Sequence, residues 1–230
     1  MQDKFKDVRP KWKNGATERI NRLRDSYWNH APSVDIERAS VYTKVYQQTE
    51  DEDLIVRRAM AFKKYMSEKT INIYPDELIV GTSGKAPRAF VFCPDISWMW
   101  LKDEIDTIDT RPQDPYCITE EDRSTLKEVI FPYWKGKSME EYCFNHMSDE
   151  IKNIAVGTNV VFGENKTTVG GGETAAGFEN IIFKKGFKGI KEEAQSKMAA
   201  LDESNIELYD KRQFYKAIIL SCEAMKIMCD

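Results

Sequence analysis

Apolar residues in this chain recur at three-and-four spacing over most of its length, and that period constrains every fold it can adopt. Ile20, Leu23, Tyr27 and Trp28 share one helical face, as do Ile36, Ala39, Thr43 and Tyr46, and then Ile55, Ala59, Phe62 and Met66. Each set forms a single stripe that a helix can bury. Three helices therefore open the chain, separated by the Ala31-Pro32-Ser33 break and by the acidic stretch from Gln47 to Asp53. Between Ile71 and Cys93 the period shortens. Ile71–Tyr74, Leu78–Val80 and Ala89–Cys93 are short apolar or alternating runs, punctuated by Pro75, Gly81, Gly84 and Pro87, and they predict extended segments or short strands joining two helical parts.

Helical spacing resumes at Pro94-Asp95, with Trp98, Leu101, Ile105 and Ile108 on one face. Thr119-x-x-Asp122 and Ser138-x-x-Glu141 read as capping boxes, in which a hydroxyl and a carboxylate satisfy amides left unpaired at a helix start. They set helices over roughly 119–131 and 138–146, with Phe131-Pro-Tyr-Trp134 as an aromatic turn between them. A polar, glycine-rich loop follows from Gly157 to Gly177, and two helices over roughly 179–200 and 209–229 complete the chain. The fold class is mainly α with a few short strands. In the last helix Phe214, Ile218, Cys222, Met225 and Met228 make an apolar stripe that reaches the final residues without a glycine stop or polar cap. Asp230 is therefore expected to be a boundary inside a longer chain, and the stripe to dock on the chain itself, on a second copy or on polypeptide from the remainder.

Composition narrows the function classes. With 41% hydrophobic and 11% aromatic residues the chain can bury a core. A net charge of -4, from 34 basic and 38 acidic residues, lacks the basic excess of nucleic-acid binders. The N-terminus has no secretion-signal core and no apolar run is long enough to span a bilayer, so a cytoplasmic protein without membrane contact is expected. Five cysteines without a Cys-x-x-Cys pair fit reduced thiols acting as buried small hydrophobes, and two histidines argue against a zinc site. Trp98, Trp100, Phe131, Tyr133 and Trp134 read as packing residues, and Arg88, Arg111 and Asp114 as ties between loops.

Several ordered blocks carry a family resemblance: Ala86-Pro-Arg-Ala-Phe90, Ile96-Ser-Trp-Met-Trp-Leu101, Asp103 through Tyr116, and Gly170-Gly-Gly-Glu173. They resemble the N-terminal part of a glycyl radical enzyme of the pyruvate formate-lyase superfamily, most similar to the choline trimethylamine-lyase branch, from about Glu18 to the last residue. The resemblance implies that residues 1–230 are the N-terminal helical region of an α/β barrel enzyme. That enzyme would use a thiyl radical to abstract hydrogen beside a hydroxyl and then expel a neighbouring group. Trimethylamine loss by C–N cleavage is one outcome; loss of water, as in a glycerol or propanediol dehydratase, or of another group is the alternative. A free-standing helical module derived from such an enzyme is the rival of a different class. Implied partners are a small-molecule substrate, the remaining part of the enzyme, a radical S-adenosylmethionine activating enzyme and a second copy in a homodimer, in the cytoplasm or within a bacterial microcompartment. The glycyl radical would reside in the missing C-terminal part, with no cofactor bound here. Consistent with that, none of Cys93, Cys117, Cys143, Cys222 or Cys229 stands in the Gly-Cys-x-Glu context of the thiyl cysteine, and no Arg-Val-x-Gly-Tyr loop occurs. No catalytic residue is expected in this segment, and the chain alone is predicted inactive.

The resemblance assigns substrate contact to the glycine-rich loop. Where choline lyases carry Gly-Gly-Gly-Asp, this chain has Glu173 after Gly172; where they carry a pocket tyrosine, it has Asn165. Glutamate keeps the charge one methylene further out, while asparagine removes an aromatic face for a quaternary ammonium. From the residues alone, the three glycines equally fit a tight crossover between helices. They do not form a nucleotide loop, and neither does Gly81-Thr-Ser-Gly-Lys85, because the P-loop spacing is absent.

Overall fold

The computed structural model describes residues 16–158 and 178–229. They fall into two compact units, residues 16–38 with 70–158 and residues 39–69 with 178–229.

The first unit begins with α1 (Glu18–Asn29), whose start is capped by Thr17 through the Ile20 amide. None of its residues is buried, and Ile20 and Tyr27 are 43% and 46% exposed. Spacing shows that a face is apolar, but not that anything covers it, so the expected burial of the first stripe is corrected. The break after α1 holds an unforeseen strand, β1 (Ser33–Asp35), which pairs in parallel with β2 (Ala89–Val91), Val34 opposite Phe90. On its other side the Val34 amide donates to the Cys117 carbonyl at 2.9 Å. Three residues carry too little pattern to announce a strand, and Pro32 biases its predecessor toward extended backbone without revealing a partner. Of the runs expected to be extended, only Ala89–Val91 joins this sheet.

The helix expected from Pro94-Asp95 is shorter, α4 (Met99–Glu104). The preceding turn is held sideways instead: Arg38 makes two hydrogen bonds to Asp95 (2.6 and 3.0 Å), and the amides of Met139 and Glu140 donate to the carbonyls of Asp95 and Ile96. The stripe itself is correct, since Trp98, Leu101, Ile105 and Ile108 are all buried. Thr119 and Ser138 cap α5 (Glu120–Thr125) and α7 (Met139–His146) through the amides of Asp122 and Glu141. Between them the expected aromatic turn is helical. A π-helical turn (Leu126–Ile130) leads directly into α6 (Phe131–Trp134), with the Phe131 amide donating to Leu126 five residues back. Pro132 explains the widening: it has no amide to give, and its ring would meet the carbonyl four residues earlier in a regular α-helix. One further helix, α8 (Asp149–Thr158), closes this unit and was not read from the sequence.

The helix α2 (Glu37–Gln48) leads into the second unit, burying Ala39, Tyr42, Thr43, Val45 and Tyr46. In α3 (Leu54–Glu68) the buried residues are Val56, Ala59, Ala61 and Tyr65, while Ile55 is 42% exposed, so the covered face is rotated from the expected one. A π-helical turn (Phe178–Ile182) precedes α9 (Phe183–Ala199), which kinks at Gly186 (φ 62°, ψ 172°). The last helix, α10 (Tyr209–Cys229), packs along α3 and against α9. Its stripe thus docks back onto the chain, one of the expected outcomes: Cys222 is buried, Ile218 and Met225 are half-buried and Phe214 remains 50% exposed. Among the described residues no helix is long and apolar enough to cross a membrane.

Candidate functional site

Glu173, Asn165 and Gly172, the residues to which the sequence assigns substrate contact, lie outside the described residues. The structure describes what leads to and from their loop: α8 before it, and the π-helical turn with α9 after it.

The buried carboxylates elsewhere in the first unit are consumed by the fold. Asp35 is fully buried on β1; one carboxylate oxygen accepts the Glu37 amide at 2.9 Å and the other the Lys85 amide at 2.7 Å. Gly84 allows this approach, because a Cβ there would stand 3.0 Å from an Asp35 carboxylate oxygen and 2.9 Å from Ala89 Cβ. The Asp35 carboxylate is therefore a staple between β1, the start of α2 and the 81–88 segment. Glu140 is also buried and accepts the Ser97 hydroxyl at 2.9 Å and the Trp98 amide at 3.2 Å. Beside it, burial pushes the Glu141 carboxyl up, but hydrogen bonds from the Trp98 indole, the Gly136 amide and Ser138 outweigh it and hold Glu141 below the usual carboxylate range.

Arg88, Arg111 and Arg123 tie loops. Arg111 donates to the Asp114 carbonyl at 2.9 Å and pairs with Glu104, while buried Arg123 reaches the Ile105 carbonyl, Asp109 and Glu120. Arg88 stacks over Tyr27 and Trp28 and donates to the His30 carbonyl at 3.1 Å. Sequence reading missed the Asp35, Asp95 and Glu140 clusters because Lys85, Arg38 and Ser97 lie 50, 57 and 43 residues away from them in the chain.

Trp98, Phe131 and Trp134 are buried, while Trp100 and Tyr133 are half-buried. The cysteines depart from expectation. Only Cys222 is buried, with its thiol pushed up by burial; Cys93, Cys117 and Cys143 are half-buried and Cys229 is exposed. A raised thiol is a poor nucleophile at neutral pH. No group of three or more histidine, cysteine or carboxylate side chains that could hold a metal occurs among the described residues. These arrangements can position a loop, but none supplies a general base or a nucleophile.

Over 187 residues the chain is 33% identical to the probable dehydratase YbiW of Escherichia coli, covering 81% of this chain and 23% of that protein. Over 232 residues it is 30% identical to the isethionate sulfite-lyase of Oleidesulfovibrio alaskensis, covering 98% and 28%. Among solved structures, the glycerol-bound form of the B12-independent glycerol dehydratase from Clostridium butyricum superposes with a TM-score of 0.83 at 34% identity, covering 96% of this chain and 28% of that one. The chain spans about a quarter of the length of the curated relatives it matches. The pyruvate formate lyase-like family model matches residues 12–230, and the chain belongs to that family of glycyl radical enzymes.

Proposed function

We propose that this chain is the N-terminal part of a glycyl radical lyase that removes a group from the carbon next to a hydroxyl-bearing carbon, and that the group is water. The match of 96% of the chain to a glycerol dehydratase carries this choice. Similarity to a probable dehydratase of Escherichia coli agrees with it. A radical on a hydroxyl-bearing carbon weakens the adjacent bond to the leaving group, and this is the chemistry the radical machinery supplies. None of the five cysteines here stands in the motif that carries it, so this chain's part is binding and orientation.

Within that part Glu173 has the leading role. Its carboxylate would accept a hydrogen bond from the substrate hydroxyl, fixing the carbon from which hydrogen is taken, in a site where exclusion of water strengthens the contact. Gly172 lets the backbone approach, and Asn165 offers an amide that can bond a second hydroxyl. A diol suits a carboxylate and an amide better than a quaternary ammonium suits a pocket in which asparagine replaces tyrosine. A sulfonate substrate has support from the isethionate lyase similarity over 98% of the chain. It needs cationic donors, and the nearest in sequence to this loop's glutamate is Lys166. Activation by a radical S-adenosylmethionine enzyme and assembly as a homodimer belong to the same proposal. The test is turnover by the complete protein, activated anaerobically, on glycerol, 1,2-propanediol, choline and isethionate. Aldehyde from a diol is expected; trimethylamine or sulfite as the main product overturns the choice of water.

A further inference from the structure

A groove of about 480 Å³ opens in the first unit between two short segments, 98–106 and 127–135. Its floor is apolar. Trp98 and Phe131 lie there with ring centroids 5.6 Å apart and planes tilted by 31°, and Ile105 and Pro132 continue the surface. Three exposed lysines stand around it: Lys102 on α4, Lys127 in the π-helical turn and Lys135 directly after α6. Among the described residues that line the groove, Asp106 is the one carboxylate.

These charges do not cancel. Asp106 is bonded to Lys127, while Glu104 and Asp109 of the same stretch are taken by Arg111 and Arg123. Among the described residues Lys102 and Lys135 have no carboxylate partner, and Lys102 Nζ lies 5.9 Å from the centre of the Trp98 ring. Three lysines against one carboxylate leave the groove positive, in a chain whose net charge is -4.

We infer that this groove binds a small amphipathic anion, an aromatic ring bearing a carboxylate or phosphate group. The floor gains from a ring that displaces water and the rim from an anion, and only a molecule carrying both meets the two demands together. A ring suits Trp98 and Phe131 better than an alkyl chain does, because aromatic edges and faces add a specific attraction to the burial. Lysines act as point charges and not as the planar forks that arginines offer, so carboxylate and phosphate are both admitted. The volume lies within the range of small-molecule sites. Two segments this short supply far less than the roughly 20 residues a side that a stable protein interface uses. Binding there needs neither the radical machinery nor a particular leaving group.

The test is isothermal titration calorimetry of the complete protein at low salt with 2-naphthoate, 2-naphthyl phosphate, 2-naphthalenemethanol and inorganic phosphate. At least one of the two naphthyl anions should bind with Kd below about 1 mM, at least about ten-fold tighter than the neutral alcohol or phosphate alone; the tighter of the two tells which anionic group the site prefers. Lys102→Gln with Lys135→Gln should weaken that binding about five-fold or more, since each exposed charge contact is worth only a few-fold. Asp106→Asn should strengthen it about two- to five-fold, by removing the competing carboxylate and releasing Lys127. Lys211→Gln, at an exposed lysine of α10, should change nothing. Equal binding of the neutral alcohol overturns the inference by reducing the groove to an apolar crevice, and equal binding of inorganic phosphate overturns it by reducing the lysines to surface charge. Absence of naphthyl-anion binding, or affinities that the lysine pair and Asp106→Asn leave unmoved, overturns it as well.

Discussion

Asp35 and Glu173 are two carboxylates with opposite legibility. Glu173 follows three glycines and is found by inspection of the sequence, but its partner is a substrate and its role is a proposal. In the complete enzyme, Glu173→Gln should keep the fold and lower kcat/KM by about 2 kcal/mol, roughly thirty-fold, as expected for loss of a charged hydrogen bond; full activity on the true substrate would remove Glu173 from the pocket. Glu173→Asp with Asn165→Tyr should move preference toward choline. Asp35 looks unremarkable in the sequence, yet it is fully buried with an amide on each oxygen. Asparagine can accept only one of these bonds and turns its own donors toward the other amide. Asp35→Asn should therefore destabilise the protein by about 1–3 kcal/mol in urea denaturation. At Gly84 a Cβ would meet Ala89 Cβ at 2.9 Å and the Ala89 carbonyl at 3.2 Å, so Gly84→Ala should cost a similar amount, about 1–3 kcal/mol, through overpacking against backbone. Nothing in the sequence marks either position, because Lys85 is 50 residues from Asp35.

Among the elements, the helices marked by an apolar stripe or a local cap were readable, whereas β1, the π-helical turns and α8 were not. Thr119 and Ser138 announce α5 and α7 because capping is local: hydroxyl and amide lie three residues apart. β1 was hidden, since three residues become a strand only when Ala89–Val91 and Cys117 arrive beside them. The packing of α10 rests on side chains whose partners are equally remote. Glu223 is clamped by Lys191 at 2.7 Å and Lys63 at 2.6 Å, and those hydrogen bonds hold its carboxyl below the usual range despite partial burial. A carboxyl whose folded pKa is lowered contributes stability that is full above its unfolded value, near 4.5, and lost as pH falls through the folded value. Glu223→Gln should therefore weaken the protein at pH 7, with the gap from wild type closing toward pH 3. Denaturation midpoints at the two pH values decide it, and an unchanged gap would show that the lysine clamp contributes nothing. Between α3, α9 and α10 an apolar groove of about 540 Å³ stays open, lined by Phe62, Phe187 and Phe214 among others.

At the scale of the whole molecule, the chain alone should show no lyase turnover and no glycyl radical signal in electron paramagnetic resonance after treatment with an activating enzyme. Its five cysteines lack the thiyl context, and no glycine loop of the radical type is present; either signal would refute the assignment of a binding part. The sequence by itself determined the mainly helical class, the places where helices begin at Thr119 and Ser138, and, through its ordered blocks, the family. All of these depend on residues a few positions apart, where backbone hydrogen bonding and side-chain period act directly. Only the tertiary structure decided that Ile20 and Tyr27 of the α1 stripe stay exposed, that Ser33–Asp35 is a strand, and that Asp35, Asp95 and Glu140 are consumed as staples. Each depends on which distant segment arrives beside a residue, and burial and hydrogen-bond partners across such separations are set by packing of the folded chain, which no local pattern encodes.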